Sequence, residues 1–170
     1  MSMTTAAILG TGAWGTTFAQ VLADAGVDVT MWGRNADTIA FINGGENPTY
    51  LPGITLSDRI SATTEIAEAV AGRELVVVAV PVKAVRATLS AAREAFAPGV
   101  ALLSLAKGLE LGSLKRVDEI IAEASGVPEN RIAVLSGPNL SREIADRQPT
   151  ATVVAASDVE LAKEIAKACH

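Results

Sequence analysis

Three glycines near the start of the chain stand at a spacing that can hold a phosphate group. The segment GTGAWG, residues 10–15, follows a short apolar run and opens a stretch with helical periodicity. In a strand–turn–helix unit the first glycine permits the tight turn, the second lets backbone N–H groups approach a pyrophosphate, and the third lets helix and strand pack closely. The loop is therefore predicted to bind a dinucleotide, the alternative being a tight turn without a ligand.

The residue after the second apolar run bears on which nicotinamide cofactor would bind. Sites that select NAD(H) usually carry Asp or Glu about 20 residues beyond the glycines, where the carboxylate binds the ribose 2′-hydroxyl. This chain has Arg34 there, and a guanidinium suits a 2′-phosphate through its charge and paired N–H donors. NADP(H) is favoured, NAD(H) stays open, and a solvated surface arginine is the other interpretation.

Lys107 is the charged residue best placed to meet a substrate. It follows the apolar run 100–105 and precedes Gly108, so we expect it in a loop at the carboxyl edge of a sheet, where open α/β sheets bind ligands. An ordinary surface lysine is the alternative. Gly137 and Asn139 follow the next apolar run, where the free N–H groups of a helix start can hold an anion or a hydroxyl.

These residues require a scaffold of alternating strands and helices. Short apolar runs predict strands at 6–9, 27–32, 60–62, 75–80, 100–105, 132–135 and 152–155. Strands that are apolar throughout and alternate with helices indicate a parallel sheet covered on both faces. The predicted fold is α/β: one doubly wound, mostly parallel, Rossmann-like domain over residues 1–170.

The intervening segments show helical patterns with recognisable ends. In the first helix, Trp14 and Phe18 share an apolar face, which predicts that Trp14 packs against the protein rather than stacking on a ligand. Ser113 is predicted to cap a helix over 114–124. Ser157 opens an S-x-x-E capping box for the last helix, which is expected to run to residue 168.

Composition argues against several classes of function. Hydrophobic residues form 49% of the 170, charged residues 19%, and the net charge is −5, without the basic clusters of a nucleic-acid surface. The apolar runs are far shorter than the roughly 20 residues that span a bilayer, and no signal-peptide pattern is present. A single cysteine, Cys169, and a single histidine, His170, make metal binding and histidine catalysis unexpected. We expect a cytoplasmic protein that binds neither nucleic acid nor metal.

Four further stretches accompany the glycine loop in a recognisable order. They are NPTYLPG (47–53), VVVAVPVKAVR (76–86), SLAKGLE (104–110) and LSGPNLSREIA (135–145). Through their order and spacing, the chain resembles the N-terminal domain of bacterial-type NAD(P)-dependent glycerol-3-phosphate dehydrogenase over about residues 5–168. The resemblance implies reversible hydride transfer between glycerol 3-phosphate and dihydroxyacetone phosphate, a small phosphate ester, in support of phospholipid synthesis.

The same resemblance implies which residues bind ligands. Cofactor contacts are expected from Gly10, Gly12, Ala13, Trp14, Gly15, Arg34, Asn35, Tyr50, Lys107 and Ser141, and substrate contacts from Lys107, Gly137 and Asn139. The family more often has Ser or Thr at position 139 and Ala at 141. Both changes keep a small or polar side chain, and Ser141 bonding to its own helix backbone is an alternative.

The proton-transfer lysine and the main phosphate-binding arginine of the family belong to a second, helical domain. None of Lys115, Lys163 or Lys167 matches that lysine motif, so no catalytic residue is expected in this chain. Because the last helix meets the end of the sequence, we expect a domain boundary there, weak or moderate nucleotide binding and negligible turnover. Apolar surface normally covered by that domain leaves homo-oligomerisation open.

Two other functions stay open at this point. The chain could be a stand-alone NADPH-binding or sensing module without catalysis. It could also be a structural or interaction protein in which the glycine loop is vestigial.

Overall fold

The computed structural model describes residues 3–169 as alternating strands and helices. In chain order these are β1 (Thr5–Leu9), α1 (Ala13–Asp24), β2 (Asp28–Trp32), α2 (Ala36–Asn43), β3 (Glu46–Asn47), β4 (Leu51–Thr55), β5 (Ile60–Thr63), α3 (Ile66–Val70), β6 (Leu75–Val78), α4 (Val82–Ala92), β7 (Ala101–Ser104), α5 (Val117–Ser125), β8 (Ile132–Ser136), α6 (Ser141–Ala145), β9 (Val153–Ala156) and α7 (Val159–Ala168). Short 3₁₀ turns follow α4 and precede β8.

Seven of the strands form one sheet in the order β5-β2-β1-β6-β7-β8-β9. Strand β1 lies inside the sheet, next to the central strand β6, with Ala6 paired to Val29 of β2 on one side and to Leu75 of β6 on the other. All pairs are parallel except β8 with β9. The chain builds outward from β1 in one direction and then crosses to β6, which opens a crevice at the carboxyl ends of β1 and β6. The doubly wound, mostly parallel Rossmann-like fold is thus confirmed.

The hydrophobic core has two layers, one on each face of the sheet. One layer packs Ile8 of β1 against Phe18 and Leu22 of α1, and α7 joins it. The other packs Leu9 against α4 and α5, with Leu89 among its buried side chains. Side chains of successive strand residues alternate between these layers, which explains why a strand such as β6 is apolar throughout. No helix within residues 3–169 is long and apolar enough to cross a membrane.

All seven predicted strands are present, with ends that differ by one or two residues from those expected. The antiparallel hairpin of β3 and β4, which forms a separate two-stranded sheet, was not predicted. These strands are short, and Pro52 and Gly53 inside β4 weaken the local strand signal.

Two predicted helix caps are wrong. Ser113 caps no helix, because α5 begins only at Val117 and the Ser113 hydroxyl donates instead to the Glu110 carboxylate. At the last helix the N-cap is Asp158 rather than Ser157, and its carboxylate accepts from the Glu160 amide at 2.9 Å. A carboxylate at this position both caps the helix and complements the positive end of its dipole.

Candidate functional site

A groove of about 470 Å³ lies at the carboxyl ends of β1, β2 and β6. It is lined by Gly10, Thr11, Gly12, Ala13, Trp14, Gly15, Trp32, Gly33, Arg34, Tyr50, Ala79, Val80 and Pro81. Seven of the ten predicted cofactor residues line it; Asn35, Lys107 and Ser141 do not. Gly33 and the segment 79–81 were not predicted to line a site, although Gly33 follows the predicted strand 27–32 and residues 79–81 span the end of the predicted strand 75–80.

The three glycines of the loop differ in how much space a Cβ atom would find at each position. The backbone of Gly10 has a φ of +127°, and a Cβ there would stand 3.0 Å from backbone atoms of Ala79. A Cβ on Gly15 would come within 2.4 Å of the Gly10 carbonyl oxygen. At Gly12, by contrast, an added Cβ meets no described atom within 4 Å. The first and third glycines are required by packing, whereas the second faces open space that a phosphate can occupy.

Helix α1 begins at this open position and presents the groove with an uncapped amino end. Gly12 is the N-cap and has no side chain to accept from the first-turn amides, and the first turn contains no acidic residue. The first N–H groups of a helix have no intrahelical partner, and the helix dipole makes this end positive. Together with the groove, these features suit a bound pyrophosphate.

Arg34 and Asn35 follow β2, and the structure gives them different surroundings. Arg34 lines the groove and is exposed, and among residues 3–169 no carboxylate lies within ion-pair distance of it. Its charge is therefore available to a ligand. The Asn35 side-chain oxygen accepts from the Thr38 amide at 2.9 Å and caps α2, so this oxygen is already committed to the helix.

Asn47 does not line the groove but supports the glycine loop from behind, a role that was not predicted. Its side chain is buried, and Nδ2 donates to the Thr11 carbonyl oxygen at 3.0 Å and to the Thr16 hydroxyl at 2.8 Å. Within the described part of the chain its Oδ1 has no hydrogen-bond partner. The amide thus ties the hairpin that carries Tyr50, a groove residue, to the glycine loop. A buried amide next to the glycine loop is a signal that only the fold makes visible.

Lys107 follows β7 at the carboxyl edge of the sheet, as predicted, and the structure brings it against the segment 136–141. The expectation that Gly137 and Asn139 begin a helix is wrong, because α6 starts only at Ser141 and the Asn139 backbone amide already donates to the Gly137 carbonyl oxygen at 2.9 Å. The Lys107 ammonium donates to the Gly137 carbonyl oxygen at 3.0 Å. Asn139 donates from Nδ2 to the Thr152 hydroxyl at 3.3 Å. The Ser141 carbonyl accepts from the Thr17 hydroxyl at 3.2 Å, which joins α6 to α1.

A second, mostly apolar cavity of about 380 Å³ lies between α1, α6 and α7. Trp14 borders both this cavity and the groove, and its ring meets Phe18 edge-on with centroids 5.9 Å apart. The prediction that Trp14 packs against the protein is confirmed. Cys169 lines the same cavity, and burial raises the pKa of its thiol to about 11. No group of three or more His, Cys, Asp or Glu side chains within residues 3–169 could hold a metal ion.

The family model and the curated relatives that match this chain indicate the same family. Residues 5–162 match the model of the NAD-dependent glycerol-3-phosphate dehydrogenase N-terminus. The glycerol-3-phosphate dehydrogenase [NAD(P)+] of Thermobifida fusca is 51% identical over 169 residues, covering 98% of this chain and 50% of the relative. The Nocardia farcinica protein of that name is 49% identical over 174 residues, which cover 99% of this chain and 52% of the relative.

Solved structures agree with these sequence relatives. Glycerol-3-phosphate dehydrogenase from Coxiella burnetii superposes with a TM-score of 0.91 at 28% identity, over 99% of this chain and 51% of that one. The glycerol-3-phosphate dehydrogenase structure from Plasmodium falciparum shows the same fold, with a TM-score of 0.90 at 21% identity. The superposition covers 99% of this chain and 50% of that one. The chain thus spans about half the length of the curated relatives it matches.

Proposed function

Because the chain belongs to the family of NAD-dependent glycerol-3-phosphate dehydrogenase N-termini, we propose that it is the nucleotide-binding half of such an oxidoreductase. The reaction would be the reversible reduction of dihydroxyacetone phosphate to glycerol 3-phosphate. The observation that supports this most strongly is the open space at Gly12, beside an uncapped helix end, in a chain 51% identical to a glycerol-3-phosphate dehydrogenase [NAD(P)+].

The groove fits a dinucleotide in shape and charge. Backbone N–H groups near Gly12, Ala13 and Trp14 would hold the pyrophosphate, with Gly10 and Gly15 fixing the turn. Tyr50 would close the side of the groove formed by the hairpin. When bound, the nicotinamide supplies the hydride that the substrate carbonyl carbon accepts.

NADP(H) is our preferred cofactor on the evidence of Arg34. The guanidinium lines the groove after β2 and has no carboxylate partner among the described residues, so a 2′-phosphate could engage both its charge and its paired donors. Asn35 would lie beside the ribose, with its side-chain oxygen held by the helix cap.

The substrate side would be formed by Lys107, Gly137 and Asn139, with Lys107 and Ser141 also facing the cofactor. A lysine ammonium at the carboxyl edge can attract the substrate phosphate and stabilise an alkoxide that develops at the carbonyl oxygen. Its hydrogen bond to the Gly137 carbonyl oxygen holds it there before ligands arrive. We assign no proton-transfer residue to this chain and expect that step to need residues from the part of the relatives that this chain does not cover.

Calorimetric titration of the chain with NADPH and NADH tests the cofactor assignment. We expect saturable binding with one site per chain, tighter for NADPH. Failure of both nucleotides to bind at millimolar concentration would overturn it.

A chimera tests the reaction. In it, this chain replaces the aligned first half of the Thermobifida fusca relative, and dihydroxyacetone phosphate is supplied with NADPH. We expect NADPH oxidation that depends on substrate and is lost on Lys107→Ala. A chimera that folds and binds NADPH yet reduces no substrate would contradict the proposal. Cytoplasmic location, supply of phospholipid synthesis and self-association stay predictions.

A further inference from the structure

Lys107 lies in the segment 105–116, which links β7 to α5 and has little apolar attachment to the core beyond its first residues. Three of its leucines are exposed: Leu109 at 53%, Leu111 at 91% and Leu114 at 71%. The segment is folded on itself, because the Glu110 amide donates to the Lys115 carbonyl oxygen at 2.9 Å and the Leu114 amide donates to the Glu110 carbonyl oxygen at 2.9 Å. Such a turn keeps its own shape but needs an outside contact to fix its position.

Glu110 makes that outside contact. Its two carboxylate oxygens accept from Nε and Nη2 of Arg86 at 2.9 and 2.8 Å, a bidentate pair across 24 residues. The Ser113 hydroxyl donates to the same carboxylate at 2.6 Å. Arg86, and next Ser113, hold the pKa of Glu110 down at about 2, so the carboxylate stays ionised through the neutral range.

Arg86 joins the segment to two helices that flank the site. It belongs to α4, which begins immediately after Pro81 in the groove wall. Its Nη2 also donates to Glu123 of α5 at 3.1 Å, and Lys115 pairs with the same Glu123 carboxylate. One guanidinium therefore connects the groove wall, the Lys107 segment and α5.

The chain between Lys107 and Glu110 cannot fix the lysine by itself. Gly108, directly after Lys107, has a φ of +127°, a backbone conformation that residues other than glycine rarely adopt. A Cβ at Gly108 would have only one described neighbour, the Val82 Cγ2 atom at 3.7 Å. After this loosely packed glycine, Glu110 is the first residue of the segment whose side chain bonds to a neighbouring helix, and Lys115 follows with its pair to Glu123 of α5.

We propose that Arg86 and Glu110 are positioning residues for Lys107. The bidentate pair anchors the segment 105–116 to α4 so that the Lys107 ammonium stays beside the Gly137 carbonyl oxygen at the mouth of the site. A partly exposed ion pair adds little to global stability, whereas its fixed two-bond geometry orients what it joins. The ligand contact of Lys107 rests on the proposed function; the anchoring does not.

Hydrogen exchange tests the anchoring without any nucleotide. We compare the chain with Glu110→Gln and Arg86→Met, and use Glu160→Gln, which removes the Lys163 partner on α7, as a matched control. Peptides within 105–116 should exchange at least about twofold faster in the first two variants, with β1 and β6 unchanged. The control should match the wild type. Unchanged exchange in 105–116, or a faster rate everywhere, would overturn the proposal.

A double-mutant cycle on NADPH affinity then separates positioning of Lys107 from a general effect on the fold. Glu110→Gln should weaken NADPH binding at least about twofold in the wild-type chain and have no further effect in a Lys107→Ala background. Equal losses in both backgrounds would contradict positioning.

The two measurements fail in different ways. If the wild-type chain binds no NADPH, the proposed function is wrong and the exchange data alone decide whether the pair anchors the segment. If NADPH binds and Lys107→Ala weakens it while Glu110→Gln does not, the proposed function stands and the inference is wrong.

Discussion

The side-chain amide of Asn47 donates to the carbonyl oxygen of Thr11 at 3.0 Å, although 36 residues separate the two in the chain. This bond, with the one to Thr16, connects the β3–β4 hairpin to the turn that begins α1. The geometry of the glycine loop therefore depends on a residue well outside the glycine motif.

Asn47→Ala is expected to weaken both the fold and nucleotide binding. Removing the amide deletes two hydrogen bonds and leaves the Thr11 carbonyl oxygen and the buried Thr16 hydroxyl only their mutual bond at 3.3 Å, which costs about 1–3 kcal/mol of unfolding free energy. Asn43→Ala is the matched control, because its amide bonds Ala62 twice, at 2.9 and 2.7 Å, away from the loop. Urea unfolding and NADPH titration should show a stability loss in both variants and an affinity loss only in Asn47→Ala. Equal affinity losses would contradict this role.

Substitutions at the second and third glycines of the loop should affect nucleotide binding and protein stability separately. Gly15→Ala should lower the free energy of unfolding by about 1–3 kcal/mol, because its Cβ would lie 2.4 Å from the Gly10 carbonyl oxygen. Gly12→Ala should cost less than about 1 kcal/mol of stability yet reduce NADPH affinity at least about fivefold, since its Cβ enters the open space. Full NADPH affinity in a folded Gly12→Ala chain would place the pyrophosphate elsewhere.

Arg34→Asp should reverse the preference between the two cofactors. Loss of charge-assisted bonds to the 2′-phosphate, together with repulsion, should weaken NADPH binding at least about tenfold. NADH affinity should hold or improve, because a carboxylate can accept from the 2′-hydroxyl. The control is Lys167→Asp, which makes the same change of charge at an exposed position of α7 that does not line the groove. An unchanged NADPH/NADH ratio would show that Arg34 is an ordinary surface residue.

Cys169 should react slowly with alkylating agents while the chain is folded. Burial disfavours the thiolate and raises the pKa of the thiol from 9.0 to about 11, so the thiol stays protonated until the pH approaches that value. At pH 8 the iodoacetamide rate should be about 100-fold below that of the urea-unfolded chain, and it should rise with pH toward 11. Because the sequence has one cysteine, mass spectrometry follows this site alone. Equal folded and unfolded rates would show that the last turn of α7 opens readily.

Much of the scaffold could be predicted because its signals are local. Continuous apolar runs such as 75–80 mark strands buried on both faces, and their alternation with helical patterns indicates a parallel sheet. The glycine spacing, Arg34 and Lys107 could be placed at the carboxyl edge because each directly follows a predicted strand. The groove contains the glycines, Arg34 and Tyr50 together, as expected.

The caps show where local patterns were insufficient. Ser157 and Asp158 are both good capping residues, and only the path of the chain decides that Asp158 caps α7 while the Ser157 hydroxyl donates to the Glu129 carbonyl oxygen. Ser113 is likewise drawn into the turn around Glu110. The hairpin at 46–55 is too short, and too rich in residues that disfavour strands, to give a periodic signal.

The sequence alone determined the alternation of the seven strands of the main sheet with helices, the glycine turn and the residues that follow each strand, since periodicity and glycine spacing act over a few residues. Only the tertiary structure decided that Asn47 holds the glycine loop, that Lys107 meets Gly137, and that Arg86 holds Glu110. These contacts join residues 24 to 36 positions apart. Their existence depends on how strands cross within the sheet, and no local pattern of residue types encodes that path.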